Sequence, residues 1–224
     1  MAKQGEIDYL KNLGADGVRH ALNKPFSDGD CAGLLMELAN LMALLPPPPA
    51  QLLDLGCGTG WLLGALAEAG VPQQRLQGVD LQPARVAAAR RAVPDADIEV
   101  GDVRRLELPD GGVTLVFMLV VLSSLDSAAS IRSALGEARR LLQPGGLLLC
   151  YEPRLANPLN RNTLLLRDRD LDAAGLLPRE QLSLTLLPPL ARRLGSRTEA
   201  LYGRLSRLGA LRTHRLVAYR ASGA

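Results

Sequence analysis

Gly56-Cys57-Gly58-Thr59-Gly60 follows the apolar run Gln51-Leu52-Leu53-Asp54-Leu55, and this is where the sequence first shows residues arranged for chemistry. Glycine lacks a Cβ and tolerates positive φ, so such a turn lets a ligand approach the backbone closely. Amides exposed at the start of the helix behind it favour a negatively charged ligand group. Asp80 lies 20 residues beyond Gly60, at the end of a second apolar run, Leu76-Gln77-Gly78-Val79. A carboxylate there can accept hydrogen bonds from both hydroxyls of a ribose. The pairing predicts a nucleotide-like ligand. Dinucleotide binders share it, so alone it does not name the ligand.

The elements that must position these residues alternate in type. Gln51–Leu55 reads as a buried strand and Trp61–Ala69 as a helix; Leu76–Asp80 is a second strand and Ala84–Ala92 a second helix. Ile98–Val100 is a third strand, and Val113–Leu122, apolar throughout, is a fourth and central one. Ser127–Leu142 is a helix closed by Gln143-Pro144-Gly145-Gly146, and Leu147–Glu152 is the fifth strand. This alternation predicts an α/β fold, a Rossmann-like doubly wound sheet, mostly parallel. Helical stretches are expected over 162–172, 179–194 and 198–208, before an alternating segment, Thr213–Arg220, that reads as an antiparallel last strand.

The expected organisation is a single domain. Residues 1–49 form an N-terminal helical cap ended by four prolines, 50–152 the ligand-binding core, 153–210 a helical insertion capping the substrate, and 211–224 the last strand and tail. Nearly half the residues are apolar and 22% are charged, an ordinary globular balance. No apolar run reaches membrane-spanning length, and Lys3, Glu6, Asp8 and Lys11 interrupt any secretory leader, so the cytoplasm is expected. Three scattered cysteines suit reduced thiols and show no metal spacing. Charge is uneven: residues 1–153 carry 13 Lys+Arg against 18 Asp+Glu, whereas 154–224 carry 13 Arg against 5 acids. A solvated Arg-rich helix surface accounts for that, as does a face for an acidic partner.

Four segments in order carry a family resemblance. Asp54-Leu55-Gly56-Cys57-Gly58-Thr59-Gly60 resembles the nucleotide-binding motif of class I S-adenosylmethionine-dependent methyltransferases, an acidic residue followed by G-x-G-x-G. Gly78-Val79-Asp80-Leu81 resembles their ribose-binding strand end. Val100-Gly101-Asp102-Val103 resembles their adenine site, and Leu141–Leu148, with its Pro144-Gly145-Gly146, resembles their turn into strand five. The resemblance implies S-adenosylmethionine as cofactor and S-adenosylhomocysteine as product. It implies that Gly56, Gly58 and Gly60, with Leu55 and Cys57 in the same motif, pass under the methionine part. Asp54 would face its ammonium, and Asp80 would hold the ribose. Asp102 would accept from the adenine amino group while the Val103 amide donates to the ring. Leu81 and Leu119 would touch the adenine or sulfonium region. Segments outside the core resemble methyltransferases of bacterial cell-surface glycan and secondary-metabolite clusters.

Methyl transfer from a sulfonium is an in-line displacement, and alignment alone contributes up to about 7–11 kcal/mol in well-oriented systems. An oxygen acceptor usually also needs a base or a metal, whereas an amine needs only deprotonation. Strand four ends Leu119-Val120-Val121-Leu122-Ser123-Ser124, with neither Asn/Asp-Pro-Pro-Tyr/Phe nor a histidine pair, so no proton acceptor is legible there. His20 and Tyr9 in the cap and Glu152 at the end of strand five are the catalytic candidates. Glu152 could equally pair with Arg154 or Arg161. Phe26, Arg154, Asn157 and Arg161 are candidates for substrate binding, and no metal site is expected. The expected reaction methylates an oxygen or nitrogen of a small metabolite, with a homo-oligomer allowed for. No RNA-binding module or aromatic stacking set is present, so nucleic acid is not the expected partner. An RNA or protein methyltransferase and a non-catalytic cofactor-binding protein stand as the alternatives.

Overall fold

The computed structural model of the chain describes residues 51–155 apart from 69, then 163–187, isolated positions between 190 and 205, and 207–221. The cap expected over 1–49 lies outside the described residues. The strands are β1 (Leu52–Leu55), β2 (Leu76–Asp80), β3 (Asp97–Val100), β4 (Val113–Leu119), β5 (Leu142–Pro153), β6 (Leu176–Leu186) and β7 (Arg212–Ala221). They form one seven-stranded sheet in the order β3-β2-β1-β4-β5-β7-β6. The first five pair in parallel, and β7 lies antiparallel between β5 and β6. Helices α1 (Trp61–Glu68), α2 (Pro83–Ala92) and α3 (Ala128–Leu141) make the crossovers, and the short α4 (Asp168–Ala173) precedes β6.

Strands β1 and β4 are apolar at nearly every position because helices cover both faces of the sheet. Alternate residues feed two cores. Leu52, Phe117, Leu149 and Leu216 pack with Leu63 and Leu66 of α1 and Val86 of α2. Leu53, Met118, Leu148 and Val217 pack on the other face with Ile131, Leu135 and Ala138 of α3. Ser127 caps α3, its hydroxyl accepting from the Ser130 amide at 3.1 Å. Among the described residues no helix is long and apolar enough to cross a membrane.

Several segments differ from the sequence reading: among the described residues the helix expected over 162–172 is confined to Asp168–Ala173, and the strand expected to reach Leu122 ends at Leu119. Gln143–Gly146, expected to close the helix, is taken up in β5, which begins at Leu142. Val113 pairs with Leu142 but Leu115 pairs with Leu147, so the extra residues bulge from the ladder, with Gly145 at φ 77°. The helix expected from Arg179 is strand β6 as far as Leu186, the outer edge of the sheet. Its leucines at 182, 184 and 186 alternate with Gln181, Ser183 and Thr185, a period of two that suits an edge strand. Beyond it, residues 190, 193, 194, 197, 201, 204 and 205 are helical.

From β1 the chain winds outward through β2 to β3, then returns to β4 on the other side of β1. This reversal leaves a crevice at the carboxyl ends of β1 and β4, the place where open α/β sheets bind ligands.

Candidate active site

A cleft of about 730 Å³ occupies that crevice. Its volume is in the range of small-ligand sites. The glycine loop is pinned from below: the amides of Gly56 and Cys57 both donate to the Val79 carbonyl, at 2.7 and 2.9 Å. Gly56, Gly58 and Gly60 have φ of 81°, 55° and 82°. A Cβ on Gly56 would overlap Cγ2 of Val121, and one on Gly60 would stand 2.8 Å from Cα of Ala89 in α2. One on Gly58 would meet nothing within 4 Å, because that residue faces the open cleft. The turn is therefore glycine-dependent for two packing reasons and one access reason.

Asp80 orders the loop as well as facing the cleft. Its Oδ2 accepts the Gly58 amide and its Oδ1 the Gln82 amide, both at 2.9 Å, with Nη1 of Arg85 at 4.0 Å from Oδ2. Asp54, at the carboxyl end of β1, lines the cleft and is only 3% exposed. Burial, reinforced by the negative charge of Asp80, pushes its carboxyl up to about 7. The same two causes, with Asp54 added, push the Cys57 thiol well up, so it is an inert wall residue.

At the far end Asp102, Val103 and Arg104 line the cleft opposite Ser124, Leu125 and Asp126. Arg104 forks onto the Asp102 carboxylate, Nε at 2.9 and 3.0 Å and Nη2 at 2.6 Å, and its amide adds a fourth bond at 2.9 Å. These bonds hold Asp102 below the usual carboxylate range. Arg104 also approaches Asp126 at 3.8 Å. Nothing in the sequence pattern marks Arg104 for this role, since an arginine two residues from an aspartate is commonplace.

Leu119 and Val120 close β4 over the cleft, and Val120 has φ 59°, a left-handed conformation that is an outlier for a β-branched residue. Glu152, at the end of β5, is fully buried and does not line the cleft. Its Oε1 accepts the amides of Val121 and Leu122 at 2.9 and 2.8 Å, and its Oε2 accepts that of Ser123 at 3.1 Å. Burial pushes its carboxyl up to about 7, although the Ser123 side chain and these amides pull the other way.

Of the cofactor residues expected from sequence, Asp54, Gly56, Cys57, Gly58, Asp80, Leu81, Asp102, Val103 and Leu119 come together on the cleft. Leu55 is buried in the core, and Gly60 packs against α2. Trp61, Gln82, Arg85, Val120, Val121 and Asp126 also line it and were not singled out by the sequence. Arg154 is turned away from Glu152, donating to Ser183 Oγ and the Gly209 carbonyl at 3.3 and 3.2 Å. His214 stacks on Tyr151, ring centroids 4.9 Å apart. Tyr9, His20, Phe26, Asn157 and Arg161 lie outside the described residues.

This donor set fits a nucleoside that carries an ammonium group. A buried carboxylate raised toward neutrality gains from a cation beside it, and Gly58 leaves room for a backbone-hugging chain. Known proteins agree. The family described as a methyltransferase domain matches residues 52–146. The trans-aconitate 2-methyltransferase of Methylobacterium nodulans is 37% identical over 125 residues, 55% of this chain and 46% of that protein. The malonyl-[acyl-carrier protein] O-methyltransferase of Serratia marcescens is 32% identical over 102 residues, 46% of this chain and 38% of that one. The chain thus spans less than half the length of these curated relatives. Geranyl diphosphate C-methyltransferase from Streptomyces coelicolor A3(2) shares the fold, with TM-score 0.60, 18% identity, and 91% of this chain and 86% of that one covered. An S-adenosylmethionine-dependent methyltransferase from Mesorhizobium loti does so with TM-score 0.58, 21% identity, and 82% and 97% covered. Fold, cleft and matched segment together mark residues 52–146 as a methyltransferase domain of the class I S-adenosylmethionine-dependent kind.

Proposed function

We propose that the chain transfers a methyl group from S-adenosylmethionine to an oxygen or nitrogen of a small metabolite, free or carried on a glycan or lipid, and releases S-adenosylhomocysteine. The observation that carries the reading is the joint placement of Asp54, Gly58 and Asp80, two carboxylates and an open glycine on one cleft wall. The bound cofactor supplies an electrophilic methyl carbon: an acceptor lone pair forms the new bond as the sulfur–carbon bond breaks. Asp54 faces the ammonium, the Gly56–Gly58 backbone lies beneath the methionine chain, and Asp80 accepts from the ribose hydroxyls. Asp102 and the Val103 amide receive the adenine edge, with Leu81 and Leu119 against the ring and sulfonium regions. These residues would hold the donor beside the end of β4, and alignment of donor and acceptor is what such a displacement chiefly depends on.

In this reading residues 50–152 are the cofactor core, 1–49 and the parts of 153–210 outside β6 cap the acceptor, β6 and 211–224 complete the sheet, and the protein works in the cytoplasm. An oxygen acceptor is supported by relatives named for O-methylation of malonyl-[acyl-carrier protein], while another relative is named as a C-methyltransferase. Calorimetry with S-adenosylhomocysteine tests the base of the proposal: the wild type should bind it, and Asp80→Ala should weaken binding at least tenfold. No binding at millimolar ligand would end the reading. Label transfer from methyl-tritiated cofactor to a panel of carboxylic acids, phenols and amines then identifies the acceptor. Variants of Tyr9 and His20 that lose turnover while keeping S-adenosylhomocysteine affinity would assign the proton acceptor.

A further inference from the structure

Among the described residues Glu152 is the charged side chain most deeply enclosed, at 0% exposure, and it makes no contact with the cleft itself. Both oxygens are spent on three consecutive amides, Val121, Leu122 and Ser123, some thirty residues away in sequence. An apolar side chain there would leave these three turn amides without this acceptor. A buried carboxylate is costly unless hydrogen-bonded, so these bonds and the burial support each other. The turn they hold is distorted. Val120 is held left-handed between the Tyr151 carbonyl, which accepts its amide at 2.7 Å, and Ser124 Oγ, which donates to its carbonyl at 2.9 Å. Such strain persists only where the surroundings over-determine it. The turn in turn supports the ligand loop: Cγ2 of Val121 occupies the space that a side chain on Gly56 would need. A continuous path therefore runs from Glu152 through Val121 to Gly56.

We propose that Glu152 is a positioning residue: it holds the Val120–Ser123 turn, and through Val121 the glycine loop, in the shape that receives the methionine end of the cofactor. The inference rests on the functional reading above and adds a residue that never touches the ligand. Asp102, which receives the adenine, is held by Arg104, and Asp80, which receives the ribose, keeps its bond from the Gln82 amide whatever the loop does, although its other oxygen accepts the Gly58 amide. Loss of the Glu152 carboxylate should therefore act on one end of the ligand and spare the other.

The experiment compares S-adenosylhomocysteine with adenosine, which lacks the homocysteine moiety. Glu152→Gln keeps the shape but replaces one acceptor oxygen with an NH₂ group that confronts an amide donor. At pH 8 this variant should bind S-adenosylhomocysteine at least tenfold more weakly than the wild type and adenosine within twofold of it. Glu152→Asp, charged but one methylene shorter, should fall between. If Glu152→Gln does not fold, Val121→Ala carries the same test, because it removes the Gly56 contact without leaving a buried charge. Equal weakening of both ligands would mean a general structural effect and overturn the proposal, as would no change in either. A wild type that binds neither ligand would instead end the functional reading on which it rests.

Discussion

Asp54 and Glu152 make the folded chain hold protons that the unfolded chain gives up. Asp54 rises from an ordinary 3.8 to about 7 and Glu152 from 4.5 to about 7, burial being the first cause of each. Between those values the native state binds more protons, so stability from these groups is complete below the lower value and is lost as pH rises through 7. Asp102 and Glu137 act oppositely, held low by Arg104 and Arg140, and weaken the fold only in acid. Between pH 5 and 8 the wild type should melt at progressively lower temperature. Asp54→Asn, which has no charge to desolvate, should flatten that slope and melt higher than the wild type at pH 8. A melting curve series at four pH values checks this, and an unchanged slope would contradict the burial argument. At the other end of the cleft, Arg104 would compete with the ligand for Asp102 if Asp102 receives the adenine as proposed. The pair is exposed to solvent on both sides, so it contributes little to stability. Arg104→Ala should leave melting nearly unchanged and tighten adenosine binding roughly two- to fivefold, the worth of one exposed ion pair.

The glycine turn shows why one motif holds three different constraints. Gly60 is closed by the backbone of α2, Gly56 by Val121, and Gly58 by nothing. Alanine at Gly60 must move a helix as well as take a left-handed conformation, so it should lower stability by several kcal/mol and melt early. Alanine at Gly58 meets no atom and costs only the left-handed conformation, about 1–2 kcal/mol. Its methyl enters the cleft, however, so it should fold and yet bind S-adenosylhomocysteine at least tenfold more weakly. Thermal melting and calorimetry on the two variants separate these outcomes, and reversed behaviour would mean the loop lies differently. Element identity was less evenly legible than the motif. Strand β1 declared itself because a doubly covered strand is apolar at nearly every position, here all but Asp54. Strand β6 did not, because its Leu182/Leu184/Leu186 alternation sits among leucines dense enough to satisfy a helical period as well. Pairing along β7 from Leu176↔Ala221 to Leu186↔Arg212 is what decides for a strand.

For the whole molecule, the binding reading makes a simple demand. A ligand that binds only the native state at 100 times its dissociation constant stabilises by about 2.7 kcal/mol. For a chain of this size that corresponds to a melting shift of roughly 5–10 °C. S-adenosylhomocysteine should give such a shift with the wild type and almost none with Asp80→Ala. What the sequence determined by itself was local: the strand–glycine–helix turn, the aspartates at the ends of successive strands, and the alternation that forces a doubly wound sheet. Those are carried by residue type and spacing along the chain, which periodicity reads directly. What only the tertiary structure decided is who faces whom. Arg104 folds back onto Asp102, Val121 fills the space Gly56 leaves, and Glu152 turns from the cleft to clasp the amides of Val121–Ser123. The last two depend on β4 and β5 lying side by side after a 14-residue helix, and on β1 lying against β4. No spacing rule in the sequence encodes contacts between segments thirty to sixty-five residues apart. They exist because the sheet order brings the ends of β1, β4 and β5 together.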